Sequence, residues 1–189
     1  MKRVLLLTAM FCCVPAALAD AGDLDQRAAE SRAVVKEFMG ALKGQLKAAL
    51  KEGGPVKAIE VCNVSAPAIA MAQSKKHGWK IGRTSLKLRN PANAPDAWER
   101  SVLEEFEARK AAGEDPKLME HYELVSQDGR QVFRYMKAIP TAEKPCLACH
   151  GAKIRPEVAK ILDRLYPQDQ ARGFRAGDIR GAFTITQPM

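Results

Sequence analysis

The chain has 189 residues, of which 47% are hydrophobic and 28% charged, and its net charge is +8. That length suits one domain of ordinary size, and the apolar fraction is too high for a disordered chain. After the first residues no segment approaches the roughly 18 uncharged apolar residues that would mark a bilayer-spanning helix, so no stable membrane insertion is expected.

Residues 1–19 read as a signal peptide. Lys2 and Arg3 form a positive start, Val4 to Val14 is an apolar run too short to cross a bilayer, and Ala17-Leu18-Ala19 is a small-residue cleavage site. The expectation is a periplasmic protein whose mature chain, 20–189, is a single domain. Cleavage removes Cys12 and Cys13 and leaves 28 basic against 22 acidic residues, +6. Nucleic acid is not an expected partner of an exported chain.

Asp23 to Glu52 is expected to form a long helix, with Leu24, Ser31, Val35, Phe38, Leu42, Leu46 and Ala49 on one face. Gly53-Gly54 ends it, and Pro55 opens a second helix. That helix puts Ile59, Cys62, Ala66 and Ile69 on one side, and Pro67 is expected to kink or restart it. His77-Gly78 closes the unit with a basic last turn and a C-cap glycine. Trp79 to Leu88 reads as an extended segment and Arg89 to Pro95 as irregular. Asp96 is placed to cap a helix carrying Trp98, Val102, Leu103 and Phe106. Tyr122 to Ser126 and Arg130 to Ile139 flank Asp128-Gly129, a hairpin signal. A loop with clustered cysteines follows, then a short helix from Pro156 to Tyr166 and a last strand from Gly181 to Thr186. Helices first and strands later make the class α+β.

The clustered cysteines carry the chemistry. Cys146-Leu147-Ala148-Cys149-His150 is C-x-x-C-H, the attachment pattern of c-type haem. Two intervening residues set the thiols apart for two vinyl groups, and the next residue supplies an imidazole for the iron. A zinc site would require a further pair of ligands at knuckle spacing, and no second C-x-x-C is present. A redox dithiol would follow a strand, whereas Lys144-Pro145 precedes this one. One motif implies one covalently attached haem c. The ligand on the iron's other face stays open on chemistry alone. Met39, Met71, Met119, Met136, Met189, His77, His121 and the leftover thiol Cys62 are all candidates. Arg83, Lys87, Arg89, Asn90 and Asn93 have two readings. They hold the haem propionates through guanidinium and amide donors, or they build an Asn-rich loop. Arg175 and Arg180 share that ambiguity, and Gly177-Asp178 reads as a turn into the last strand.

Four segments resemble a known family. They are Val61-Cys62-Asn63 with Ala66-Pro67; Arg83 through Asn93; Cys146 through Gly151; and Tyr166-Pro167 through Gly173-Phe174 to Gly181. The family is the bacterial single-haem c-type domain of PAS-like fold, long catalogued as a domain of unknown function. The resemblance implies an antiparallel sheet flanked by helices, with a long N-terminal helix. It also implies an axial pair of His150 and Cys62. Members occur alone in the periplasm or as sensory inputs. The implied function is a redox- or ligand-responsive haem module or an electron-transfer protein, working with redox partner proteins or small haem ligands. The alternative is a haem enzyme, such as a peroxidase or nitrogen-oxide reductase, which would need an open iron position and a nearby acid or base.

Overall fold

The computed structural model describes residues 21–189, so the expected signal peptide, with Cys12 and Cys13, lies outside the described residues. Helix α1 (Ala21–His77) begins the fold. Its dihedrals leave the helical region at Gly53 (φ −151°, ψ 21°) and Gly54 (φ 68°, ψ −161°). The second of these conformations is open to glycine but not to side-chain-bearing residues, so the glycine pair splits α1 into two arms where the sequence placed the break. Pro67 does not restart it: the backbone dihedrals stay helical there, and the proline, having no N–H, leaves one internal hydrogen bond unmade. The Gly78 amide donates to the Ser74 carbonyl at 2.9 Å and ends the second arm.

Four antiparallel strands follow: β1 (Lys80–Thr84), β2 (Glu120–Gln127), β3 (Arg130–Pro140) and β4 (Ile179–Pro188), in the order β1-β4-β3-β2. The class is the α+β, PAS-like arrangement expected. Strand β1 is shorter than the extended run read from the sequence. The Ser85 hydroxyl accepts a hydrogen bond from the Lys87 amide at 3.2 Å and turns the chain out of the ladder. Strand β4 is longer than expected at both ends, because the long strand β3 pairs with it from Ile179 to Pro188, beyond the five residues that β1 covers. Asp128 (φ 51°) and Gly129 (φ 75°) make the tight β2–β3 hairpin.

Each sheet face buries a helix. The first arm of α1 packs Ala28, Val34, Val35 and Phe38 on Ile81, Phe133, Tyr135, Phe183 and Ile185. Helix α2 (Ala97–Ala111) packs Val102, Leu103 and Phe106 on Met136, Ala138, Ile179 and Ala182. Its start is a full capping box, with Asp96 Oδ1 accepting from the Glu99 amide and Glu99 Oε2 from the Asp96 amide. A third cluster joins the ends of the chain. Ile59 on the second arm of α1 packs on Val158, Ile161 and Leu162 of α4 (Pro156–Leu165), with Cys149 and Tyr166 at its border. The site lies between this cluster and the sheet.

Candidate functional site

The cysteine motif is not a loop, as expected from the sequence, but one helical turn, α3 (Leu147–His150). The His150 amide donates to the Cys146 carbonyl at 2.9 Å. A three-residue step along a helix brings Cys146 and Cys149 to the same side. Gly151 follows because a Cβ there would lie 2.6 Å from the Leu147 carbonyl oxygen.

A cavity of about 550 Å³ opens beside this turn, within the size range of cofactor sites. Cys62, Cys146, Cys149 and His150 all line it, although Cys62 comes from the second arm of α1 and the other three from a turn far along the chain. Leu42, Leu46 and Leu50 of the first arm make an apolar wall. Of the other candidate ligands, Met71 reaches the cavity lining, with 68% of its surface exposed. Met119 and Met136 are fully buried under α2, Met39 packs against the core beneath the first arm, and Met189 is half exposed at the C-terminal end. His77 stacks on Trp79 with ring centres 5.1 Å apart, and His121 lies between Glu105 and Glu123. Neither lines the cavity.

His150 is prepared as a neutral donor. Its Nδ1 lies 2.9 Å from the Ala171 carbonyl and its Nε2 lies 3.4 Å from Arg89 Nη1. One tautomer satisfies both contacts: the proton sits on Nδ1 and donates to Ala171, and the lone pair of Nε2 is turned to Arg89, in a residue that lines the cavity. Arg180 Nε is 3.2 Å from the same Nδ1. Against a protonated Nδ1 that is a facing of two N–H groups rather than a hydrogen bond, and the shorter contact to Ala171 decides the tautomer. Burial, then the charges of Arg180 and Arg89, holds the imidazole well below its usual pKa. Burial raises the thiol pKa of Cys62, opposed by Arg83, and burial likewise raises that of Cys149. The Tyr166 phenol borders the same space and is also raised by burial, while Asn63, one residue after Cys62, pulls the other way.

The polar residues expected at the site separate into two kinds. Arg89 is committed to structure. It makes two 3.1 Å contacts with Asp169, whose side chain is 1% exposed, and donates to the carbonyls of Cys149 at 2.6 Å and Ala171 at 3.1 Å. Arg89 and Asp169 thereby hold the Ala171 carbonyl that orients His150. Asn90 caps a short 3-10 turn at Pro91–Asn93, its Oδ1 accepting from the Ala92 amide, while its residue also lines the cavity. The Asn93 carbonyl accepts from the Thr84 hydroxyl at 3.2 Å. Lys87 places its ammonium over the Phe174 ring on the far side of the segment, outside the cavity. The Arg175 amide closes the turn on Asp178.

Arg83 and Arg180 are different. Both are half-buried in the cavity lining, and among the described residues neither forms an ion pair with a carboxylate. Arg83 has the Phe38 ring at 5.8 Å and lies close enough to Cys62 and Tyr166 to act on them electrostatically, whereas Arg180 donates to the Ser85 hydroxyl and the Lys87 carbonyl. Burial lowers the pKa of both, that of Arg180 to about 10. Two desolvated cations without anions mark a place for a ligand with carboxylates. Sequence reasoning ranked Arg83, Arg89 and Asn90 alike and left Arg180 ambiguous. It missed Asp169 and the Ala171 carbonyl, since neither belongs to a motif.

An antiparallel sheet wrapped by a broken N-terminal helix, with a C-x-x-C-H turn facing a third cysteine across a cavity, defines a cofactor-binding α+β domain. The chain belongs to the Tll0287-like family, which matches residues 20–188. Among solved structures it is similar to that of the cyanobacterial heme-protein Tll0287. The two are 26% identical, with 90% of this chain and 98% of that chain covered and a TM-score of 0.66. A comparison with curated proteins finds no match.

Proposed function

We propose that the protein is an exported module that holds one haem c and works by a one-electron change, as a redox-responsive or electron-transfer protein. The observation that carries this reading is the convergence of Cys62, Cys146, Cys149 and His150 on one cavity with two unpaired guanidiniums. The similar solved structure is that of a heme-protein, which supports the choice of cofactor.

The residues present fit that group. The thiols of Cys146 and Cys149 would hold it covalently through its two vinyl groups, each S–H becoming one C–S and one C–H bond. His150 offers Nε2 to the iron, because the Ala171 carbonyl keeps the proton on Nδ1. Cys62 would supply a second protein ligand to the iron, with Met71 the other candidate sulfur in the lining. Arg83 and Arg180 neutralise the two propionates. Haem supplies a ferric/ferrous couple. As a thiolate ligand Cys62 would donate charge and so favour the ferric state, and Arg83, whose positive charge opposes the effect of burial on that thiol, would stabilise the thiolate.

Two protein ligands leave no open position for substrate. The spare imidazoles that an acid–base enzyme would use, His77 and His121, lie outside the cavity lining. Both features support a redox module over a peroxidase or reductase. The signal-like residues 1–19 support a periplasmic location, where maturation of c-type haem proteins takes place.

The test is a denaturing gel stained for haem, followed by spectra of the native holoprotein. The expected results are stain on the band and a ferric low-spin spectrum that turns partly high-spin in Cys62→Ser. A colourless band would end the haem c reading. An unchanged Cys62→Ser spectrum would move the second ligand to Met71.

A further inference from the structure

The first arm of α1 carries a pattern that the cofactor site does not use. Leu42, Leu46 and Leu50 face the cavity, and each is followed by a lysine: Lys43, Lys47 and Lys51. One residue is 100° of helix, so these lysines lie one step round from the cavity wall, on a stripe that Lys36 extends. All four are exposed. The lysine ion pairs on this helix, among the described residues, go to other lysines: Lys57 with Glu52 and Lys76 with Glu37. No Asp or Glu occurs between Glu37 and Glu52, so no acid on this stretch neutralises the stripe. Gly40 and Gly44 fall in the same sector, where a Cβ would touch nothing, so the surface between the lysines is flat.

We infer that this lysine stripe is the docking surface for an acidic electron-transfer protein, which exchanges one electron with the cofactor across the Leu42–Leu46–Leu50 wall. The inference rests on the haem reading above and adds the face and the chemistry of the partner. Unpaired positive charge beside a redox centre raises the encounter rate of a negatively charged protein and orients it. The path from the stripe to the cavity is within one helix diameter, about 10 Å. A membrane surface fits less well. An in-plane helix needs an outward apolar face, and here the leucines point inward and the outward sector holds glycine and lysine. Nucleic acid fits less well again, since no aromatic residue interleaves the stripe.

The experiment uses ferric holoprotein and reduced plant-type ferredoxin, an acidic one-electron donor. Each [2Fe–2S] cluster loses one electron and each ferric centre gains it, followed by stopped flow over a range of ionic strength. Lys43→Glu/Lys47→Glu/Lys51→Glu is compared with Arg100→Glu/Lys117→Glu/Arg130→Glu, which makes the same change in net charge at exposed positions outside the cavity lining. The expected result is a bimolecular rate that falls with salt. At low salt it should drop on the order of 10-fold in the lysine variant and about half as far, on a logarithmic scale, in the corresponding Lys→Gln variant. The control should stay within about 2-fold of wild type. Equal losses in both triple variants would reduce the effect to net charge and overturn the inference, as would no loss in the lysine variant. Lysine-dependent flotation with phosphatidylglycerol vesicles, with ferredoxin rates unchanged, would overturn it in favour of a membrane. Loss of the haem stain is a separate outcome, which would end the cofactor reading instead. A loaded holoprotein whose rates ignore the stripe would remove this inference alone.

Discussion

Arg134 and Arg83 show two ways of burying a guanidinium in the same sheet. Arg134, on β3, has a side chain 5% exposed, pairs with Asp96 at 2.8 Å and Glu99 at 3.2 Å, and lies 4.2 Å over the Trp98 ring. It ties the sheet to the start of α2 and leaves no carboxylate on that side wanting a partner. Arg83, on β1, faces the cavity with an aromatic ring and no carboxylate, and Arg180 on β4 repeats the situation. A folded chain gains nothing by desolvating an unpaired cation. On the scaffold side the guanidinium has its carboxylates within the chain, although its Nε finds no acceptor, whereas the cavity-side guanidiniums have no carboxylate partner among the described residues. The difference locates the site independently of the cysteine motif.

The sharpest way to break the comparison is to remove each cation. Arg134→Met leaves Glu99, 7% exposed, without its buried partner, and should destabilise the fold by about 3 kcal/mol in urea melts. Arg83→Met and Arg180→Met remove charges that have no carboxylate to abandon, so each should change the stability of the haem-free chain by less than about 1 kcal/mol. Losses near 3 kcal/mol in all three variants would make the cavity arginines ordinary scaffold.

Next in size is the redox poise. Cys62→Met replaces an anionic sulfur ligand with a neutral one and should raise the potential by on the order of 0.1 V, as axial-ligand changes do. A spectroelectrochemical titration showing no upward shift would take Cys62 out of the iron's coordination.

The scaffold also carries a pH signature that the cavity does not share. Burial alone would raise the Glu120 pKa, but hydrogen bonds from Arg32 (2.6 Å) and Tyr135 (2.8 Å) outweigh it and hold it below the usual glutamate range. A depressed folded-state pKa means that this stabilisation is present above the unfolded value, about 4.3, and is lost as pH falls through the folded one. With the pair partly exposed, the contribution should be on the order of 1 kcal/mol or less. Melts of Glu120→Gln should therefore lose less stability than wild type below about pH 4.5. Parallel acid profiles would assign the acid response to other groups.

The smallest effect belongs to the lysine stripe. Gly40→Ala and Gly44→Ala put a methyl where nothing is within 4 Å. Each should stabilise the helix by about 0.5–1 kcal/mol. A destabilised variant would mean that these glycines are packed in solution.

Much of this molecule is local and therefore legible in the residues. Gly53-Gly54 breaks α1 because only glycine takes up the backbone of position 54. Asp96 and Glu99 cap α2 because their side chains reach backbone amides three residues away. Asp128-Gly129 turns the hairpin because both residues tolerate positive φ. The C-x-x-C-H spacing marks the turn that lines the cavity. Pro67 is less telling: a proline inside a helix removes one hydrogen bond, and the backbone there stays helical without a break. The motif turn was also misjudged, since five residues show no periodicity although their spacing requires a helical step.

What the residues alone left open is which distant groups meet. Cys62 and His150 line one cavity because α4 packs on the second arm of α1 through Ile59, Val158 and Leu162, a contact with no local signature. Arg89 and Arg83 look equivalent in the sequence. Tertiary structure makes the first a clamp on Asp169 and leaves the second unpaired in the cavity. Backbone conformation and motif chemistry depend on neighbours within a few residues, so sequence carries them. Burial and charge pairing depend on partners brought together only by packing, and those decide which arginines await a ligand.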